Sequence, residues 1–312
     1  MPTRVMQFAS FCLLALAPLF AQTSAPDSND EGTIKVNVKL VNVFSTVTDQ
    51  AGAPIAKLEK KDFQVLEDGV PQTIAFFGKE NELPLSIVLA IDASLSTKKD
   101  LALELESARR FAHSILRPMD SMSLYRFAET VQEMVPFTAN LSRIDRAIRS
   151  VRVGAATALY DAVYLASEAL ESREGRKVLV VITDGGDTVS SVDYAEALRQ
   201  AQASEAVVYS IVVVPIEASA GRNTGGEHAL IQLSHDTGGK HYYAASSAQL
   251  EQVFKQIGDE LRTQYLLAYY PKQRPSAGEF RSIEVRVVEP NSEGAENIKV
   301  RHRTGYYVHG TK

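Results

Sequence analysis

Two apolar runs without alternation constrain this fold more than any other feature of the chain. Leu85 to Ile91 is interrupted only by Ser86, and Val178 to Ile182 is unbroken. A strand with one face in water alternates apolar and polar residues, so such runs belong to strands covered on both sides, as in a parallel sheet between helix layers. Each run ends at a carboxylate: Asp92, which opens Asp92-Ala93-Ser94-Leu95-Ser96, and Asp184 in Thr183-Asp184-Gly185. Open α/β sheets hold their ligands outside the carboxyl ends of such strands. Hydroxyls and carboxylates gathered there suit a hard divalent cation.

Between Pro84 and Arg262 the pattern alternates strand and helix, which predicts an α/β, doubly wound sheet of the Rossmann-like kind. Leu101, Leu105, Ala108, Ala112 and Ile115 recur at helical spacing, and Arg117-Pro118 closes that helix. Leu124 to Phe127 and Val131 to Phe137 predict an edge hairpin around Ala128-Glu129-Thr130. Leu159, Ala162, Val163, Ala166 and Leu170 mark a second helix, Val207 to Val214 a further buried strand, and Ala248 to Leu261 a last helix.

The flanks read as β. Val36, Val38 and Leu40 alternate with polar residues, and Val41, Val43 and Val47 take the opposite parity, which predicts a bulge near Leu40 and Val41. Turn signals fall at Asp49-Gln50-Ala51-Gly52, and at Asp68-Gly69 between Phe63-Gln64-Val65 and Ile74-Ala75-Phe76. Tyr265 to Tyr270, Ile283 to Val288 and Ile298 to Val308 are the strand segments after the last helix. Neither flank is large enough for a core of its own. The economical arrangement pairs them into one small sandwich with the α/β domain inserted between. The expected organisation is a signal peptide at 1–21, a linker at 22–32, an N-terminal β module at 33–80, the α/β domain at 84–262 and a C-terminal β segment at 263–310.

The signal assignment rests on Arg4, the apolar stretch Phe11 to Phe20, and Ala21 before Gln-Thr-Ser, with Ala25 as a second cleavage candidate. The chain's only cysteine, Cys12, lies inside that segment, so the exported product carries no thiol and no disulfide. No later stretch approaches about 18 consecutive apolar residues, so no membrane span is expected. With 45% hydrophobic residues the 312-residue chain is not a disordered polymer, and a net charge of −5 argues against a nucleic-acid binder. Export leaves the product in the periplasm or secreted.

Asp92, Ser94 and Ser96 stand at i, i+2 and i+4, so a tight loop turns three side-chain oxygens toward one point. Thr157, just before the Leu159 helix, adds a hydroxyl from a second loop, and Asp184 a carboxylate from a third. Mg²⁺ takes oxygen ligands in near-octahedral geometry and usually keeps waters.

These motifs, Asp92-Ala93-Ser94-Leu95-Ser96, Thr157 within Ala156-Thr157-Ala158-Leu159-Tyr160-Asp161-Ala162, and Thr183-Asp184-Gly185, resemble the von Willebrand factor A (VWFA) domain with its metal-ion-dependent adhesion site (MIDAS). The likeness covers about residues 84–262. Val47-Thr48-Asp49, Asp62-Phe63 with Glu67-Asp68-Gly69, and Thr304-Gly305-Tyr306-Tyr307 are similar to the VWFA-related domain family of exported acidobacterial proteins. The resemblance implies a site for Mg²⁺ (or Mn²⁺). Ser94, Ser96 and Thr157 bind the cation directly or nearly so, and Asp92 and Asp184 bind directly or through water. It also implies that an Asp or Glu of a protein partner fills the last coordination position. Leu95 departs from the glycine common between the two serines, and its backbone must keep a negative φ or the loop must shift.

The function implied is an exported, non-enzymatic module for adhesion or protein–protein interaction. Two alternatives stand beside it: an envelope scaffold with a vestigial metal site, and a metal-dependent hydrolase. The hydrolase has no His-Glu-x-x-His, Gly-x-Ser-x-Gly or phosphate-loop motif to support it, and no catalytic residue is assigned. Asp187 reads as a cap of the next helix or a solvated residue ahead of an indirect support for the metal, Asp161 equally as a hydrogen-bond partner of the metal loop or as a cap or loop tie, and Tyr160 as packing ahead of a place on the site rim. His228, His235 and His241 are not spaced for zinc and read as structural or surface residues, and His302 and His309, in a C-terminal strand, are not expected to ligate a metal. Tyr242-Tyr243 and Tyr269-Tyr270 read as strand packing.

Overall fold

The computed structural model describes residues 40–79, 83–214, 224–273, 276–288 and 298–308. The predicted signal peptide and linker lie outside the described residues, as do Val36 and Val38, whose alternation leads into the parity change, and His309. Four strands precede the central domain: β1 (Val41–Thr48), β2 (Phe63–Glu67), β3 (Val70–Gln72) and β4 (Ile74–Lys79). The Asp68-Gly69 turn joins β2 to β3, not to the Ile74 strand, and both its residues have positive φ, 47° and 76°. That is the geometry a two-residue hairpin of the mirror-image type requires.

The central domain follows with β5 (Leu85–Asp92), α1 (Leu101–Ile115), β6 (Ser121–Phe127), β7 (Val131–Thr138), α2 (Leu141–Ser150), α3 (Leu159–Glu171) and β8 (Arg176–Thr183). It continues through α4 (Tyr194–Ala203), β9 (Val207–Val213), α5 (Thr224–Asp236), β10 (His241–Ala244) and α6 (Ser247–Leu261). The six strands take the order β10-β9-β8-β5-β6-β7, all parallel except the β6–β7 hairpin at one edge. Ile87, Leu89 and Ile91 face α1, α2 and α6, while Val88 and Ala90 face α3, α4 and α5, so β5 is buried on both sides. Burying each of these Ile, Leu and Val side chains contributes roughly 1.5–3 kcal/mol.

Three helices escape the apolar-spacing analysis: α2, α4 and α5. The first two carry cap signals nonetheless. Asn140 accepts from the Arg143 N–H, and Asp193 and Glu196 form a reciprocal capping box.

After α6 come β11 (Tyr265–Tyr269), β12 (Phe280–Val287), β13 (Lys299–Arg301) and β14 (Gly305–Tyr307). They complete two four-stranded sheets, β13-β1-β11-β4 and β14-β12-β2-β3, in which N- and C-terminal strands pair directly. Val43, Val65, Tyr265, Leu267, Ile283 and Val285 from both sheets share one apolar core. The segment expected as one strand from Ile298 to Val308 is two short strands, one in each sheet. His302 sits between them, taking the Val285 N–H on Nε2 at 3.1 Å.

In both tyrosine pairs the strand pleat buries one ring and exposes the other. Tyr242 and Tyr269 are inside, whereas Tyr243 and Tyr270 face out.

Candidate metal centre

β5 is the strand from which the chain winds in both directions, to β6 on one side and to β8, β9 and β10 on the other. The crevice between the carboxyl ends of β5 and β8 is therefore the switch point of the sheet. Ile91 pairs with Ile182, so the next residues of the two strands, Asp92 and Thr183, meet at that edge. The Thr183 hydroxyl donates to Asp92 Oδ2 at 2.6 Å, and the Ser94 N–H donates to Asp92 Oδ1 at 2.8 Å. Ser94 Oγ lies 3.0 Å from Ser96 Oγ, and Ser96 Oγ donates to Asp184 Oδ1 at 3.0 Å. Asp92, Ser94, Ser96 and Asp184 thus form one continuous hydrogen-bonded chain. Asp92 and Ser94 are buried and Ser96 opens to solvent.

Thr157 joins through its main chain. Its carbonyl accepts from the Thr188 N–H at 2.8 Å, and its N–H donates to the Thr188 hydroxyl at 2.9 Å, which ties its loop to the one that follows Asp184. On the other side the Gly154 N–H donates to the Ala93 carbonyl at 2.7 Å. A Cβ at Gly154 would lie 2.3 Å from Glu129 Oε2 and 2.6 Å from the Ala128 Cβ, so only glycine allows this approach. The three loops are fastened pairwise into a ring.

Leu95 has φ −64° and ψ −30°, ordinary right-handed helical backbone at the entry to a 3-10 turn over Ser96–Lys99. The residue that replaces glycine here carries no strain. Its side chain is 60% exposed beside the serines. Below it, the Thr97 hydroxyl donates to the Ser94 carbonyl at 2.9 Å and pins the turn.

Burial pushes the Asp92 carboxyl up to about 6, against the hydrogen bonds from Thr183 and Ser94 and with the charge of Asp184 adding to the rise. Asp184 is raised too, by burial first and by Asp100. Among the described residues the donors to these two carboxylates, Ser94 and Thr183 to Asp92 and Ser96 and its own N–H to Asp184, are neutral. Two desolvated carboxylates with neutral partners and an open hydroxyl edge fit a divalent cation, whose charge would reverse both shifts. Among the described residues no group of three or more His, Cys, Asp or Glu side chains is placed to hold a metal. A cation here therefore depends on the serine and threonine oxygens.

Asp187 and Asp161 tie loops together. Asp187 accepts from the Tyr160 N–H at 3.3 Å and from the Ser190 hydroxyl, so it caps α3, the helix before it in the chain and not the one after. Asp161 accepts from the N–H groups of Ser191 and Val192 at 2.8 and 3.0 Å. Tyr160 packs edge-on against Tyr194.

Glu104 is the residue that motif reading misses. It lies in the first turn of α1, only 2% exposed, with neither carboxyl oxygen hydrogen-bonded. Burial and then the charges of Asp92, Asp184 and Asp100 push it up to about 8. The available signal was a lone acid on the buried stripe of α1, in step with Leu101, Ala108, Phe111 and Ile115.

The sequence model of the von Willebrand factor type A domain matches residues 86–256. Among solved structures, a von Willebrand factor type A protein from Catenulispora acidiphila aligns with TM-score 0.52 and 10% identity over 80% of this chain and 74% of its own. Proximal thread matrix protein 1 from the mussel byssus, in a form with a zinc-occupied MIDAS motif, aligns with TM-score 0.51 and 16% identity over 64% of this chain and 50% of its own. The conserved hypothetical protein BatB from Bacteroides thetaiotaomicron aligns with TM-score 0.46 and 20% identity over 56% of this chain and 98% of its own. No curated protein matches the chain.

Proposed function

The chain belongs to the von Willebrand factor type A domain family, and from that premise we propose that it is an exported, non-enzymatic binding module. Its three-loop site holds Mg²⁺ or Mn²⁺ and engages an Asp or Glu side chain of a protein partner. The observation that carries this reading is the unbroken chain Asp92, Ser94, Ser96, Asp184 at the switch point of the sheet, in which a buried and a half-buried carboxylate accept from neutral donors among the described residues. Ser94, Ser96 and Thr157 supply hydroxyl oxygens, while Asp92 and Asp184 supply charge and hold the loops. Hard oxygen donors of this kind favour Mg²⁺ or Mn²⁺ over softer metals. A fold of this kind holds zinc at such a motif in the mussel protein.

When bound, the cation supplies an electrophilic centre for a partner carboxylate, because neutral hydroxyls leave part of its charge uncompensated. Leu95 stands exposed at the rim and gives the partner an apolar contact next to that carboxylate. Among the described residues no helix is long and apolar enough to cross a membrane.

The test is a cation-dependent pull-down from an envelope extract, run beside calorimetric titration of Mn²⁺ into the purified chain. Wild type should capture partner with Mg²⁺ or Mn²⁺ and release it in EDTA. Asp92→Ala should lose both metal heat and capture while its far-ultraviolet circular dichroism stays native. Undiminished capture in EDTA, or full metal binding by Asp92→Ala, sinks the reading.

A further inference from the structure

Helix α2 carries three arginines against one aspartate, whereas the other α-helices are neutral or acidic. The contrast is sharper for standing in a chain of net charge −5. Its apolar side, Ile144, Ala147 and Ile148, belongs to the core beneath the central sheet. The outward side is polar throughout: Arg143, Arg146 and Arg149 are exposed, and Arg152 continues the row just past the helix end.

Among the described residues none of these four guanidiniums is paired with a carboxylate. Arg152 donates to the carbonyls of Arg149 and Val151, and Asp145, the acid of the helix, lies 3.0 Å from His113 Nε2 of α1. Like charges three residues apart on a helix repel one another. Other exposed cations of this chain are set against acids, as in Arg110 with Glu251, Lys255 with Asp259 and Arg286 with Glu284.

The row also has a direction. β7 runs antiparallel to β6, so it leads away from the carboxyl ends of the parallel strands, and α2 brings the chain back toward them. Arg152 therefore stands at the edge of the metal loops, just before Gly154, whose N–H is held by the Ala93 carbonyl. Successive arginines at i and i+3 have Cβ atoms about 5–6 Å apart. An extended peptide sets alternate side chains about 6.5 Å apart on one side, so acids at alternate positions meet consecutive guanidiniums, each able to donate two parallel bonds to a carboxylate. A lipid surface fits less well, because a helix that docks on a bilayer buries an apolar face in it, and that face of α2 is already inside the protein.

We infer that the outward face of α2 is a second interaction surface, which takes an extended acidic segment of a protein partner. It does not depend on the divalent ion, so it is tested with that ion removed, and its outcome is independent of the outcome for the metal reading.

The experiment is fluorescence anisotropy of a labelled peptide alternating Glu and Ser, titrated with the full chain in EDTA at pH 7 and low salt, beside a peptide with Gln in place of Glu. The acidic peptide should bind at least about tenfold more tightly than the Gln peptide, and added salt should weaken it. Arg146→Gln combined with Arg149→Gln should bring it down to the level of the Gln peptide. Lys255→Gln combined with Arg286→Gln, the same change of net charge at cations that already face acids, should leave it bound. Equal affinity of the two peptides for wild type overturns the inference, as do equal losses in the two double variants. Flotation with phosphatidylglycerol vesicles that is lost in the α2 double variant, and that excess acidic peptide does not displace, assigns the face to a lipid surface and overturns it as well.

Discussion

Asp92, Ser94 and Ser96 were legible as a loop of oxygens from their spacing alone, because side-chain direction over five residues of a tight turn is a local property. Leu95 was legible only as a condition: its φ had to be negative, and at −64° it is. Glu104 was not read, because an acid on a helix stripe becomes chemically significant only when another layer covers it. Its burial carries a pH dependence whose sign follows directly. The folded-state carboxyl holds its proton up to about 8, whereas the unfolded one loses it in the ordinary carboxylate range. In that window the folded state binds more protons, so stability falls as pH rises, by a few kcal/mol at most. In EDTA, urea midpoints at pH 5 and pH 8 should therefore fall further apart for wild type than for Glu104→Gln. Parallel behaviour of the two proteins would show that Glu104 is not desolvated in solution.

At the scale of elements, the loops converge because each is fastened to a strand or helix end. Asp187 caps α3 from a loop 27 residues further on, a tie that the sequence cannot distinguish from capping the following helix. Asp187→Ala should cost about 1 kcal/mol, the usual loss on removing a cap, read as a lower denaturation midpoint with unchanged Mn²⁺ stoichiometry. Gly154 is more demanding. Gly154→Ala puts a methyl 2.6 Å from the Ala128 Cβ, which cannot turn aside as the ends of Glu129 and Arg126 can, so the loop must withdraw from Ala93 and carry Thr157 with it. Calorimetry should then find weaker Mn²⁺ binding together with lower stability. Wild-type affinity in that variant would mean that Thr157 is not a ligand. Of the three helices missed by apolar spacing, α4 is announced by its capping box, whereas α2 carries both a cap at Asn140 and an apolar face of Leu141, Ile144 and Ile148.

For the whole molecule, the feature with most leverage is the joining of the two chain ends. Glu67 of β2 is fully buried and accepts from Tyr269 of β11 at 2.6 Å, Arg281 of β12 at 3.0 Å and Tyr306 of β14 at 3.1 Å. One N-terminal carboxylate thus fastens three C-terminal strands across both sheets of the sandwich. Arg281→Ala leaves that charge buried without its cation, and about 3–5 kcal/mol should be lost, as when one partner of a buried pair is removed. Differential scanning calorimetry should show the loss, and a change under about 1 kcal/mol would mean that the tyrosine hydroxyls alone satisfy Glu67. The sandwich is also joined to the central domain through polar groups: Arg176 of β8 donates to Gln264 at 2.6 Å, and Arg301 of β13 donates to Glu260 of α6 at 2.6 Å. A divalent cation at roughly one hundred times its dissociation constant should add about 2.7 kcal/mol to the unfolding free energy, measurable as a higher denaturant midpoint with Mg²⁺ than with EDTA.

By itself the sequence determined the strand class, the helical face of α1, the edge hairpin and the placing of Asp92, Ser94 and Ser96 on one tight loop. Each of these follows from periodicity or spacing within a few residues, where backbone geometry alone relates position to direction. Only the tertiary structure decided that β1 and β2 pair with β11 and β12 some two hundred residues later, that Gly154 seats the Thr157 loop against Ala93, and that Glu104 is sealed beside an apolar cavity. Those outcomes depend on which surfaces exclude water from one another. That is a property of pairs of distant segments, which neither segment carries in its own pattern.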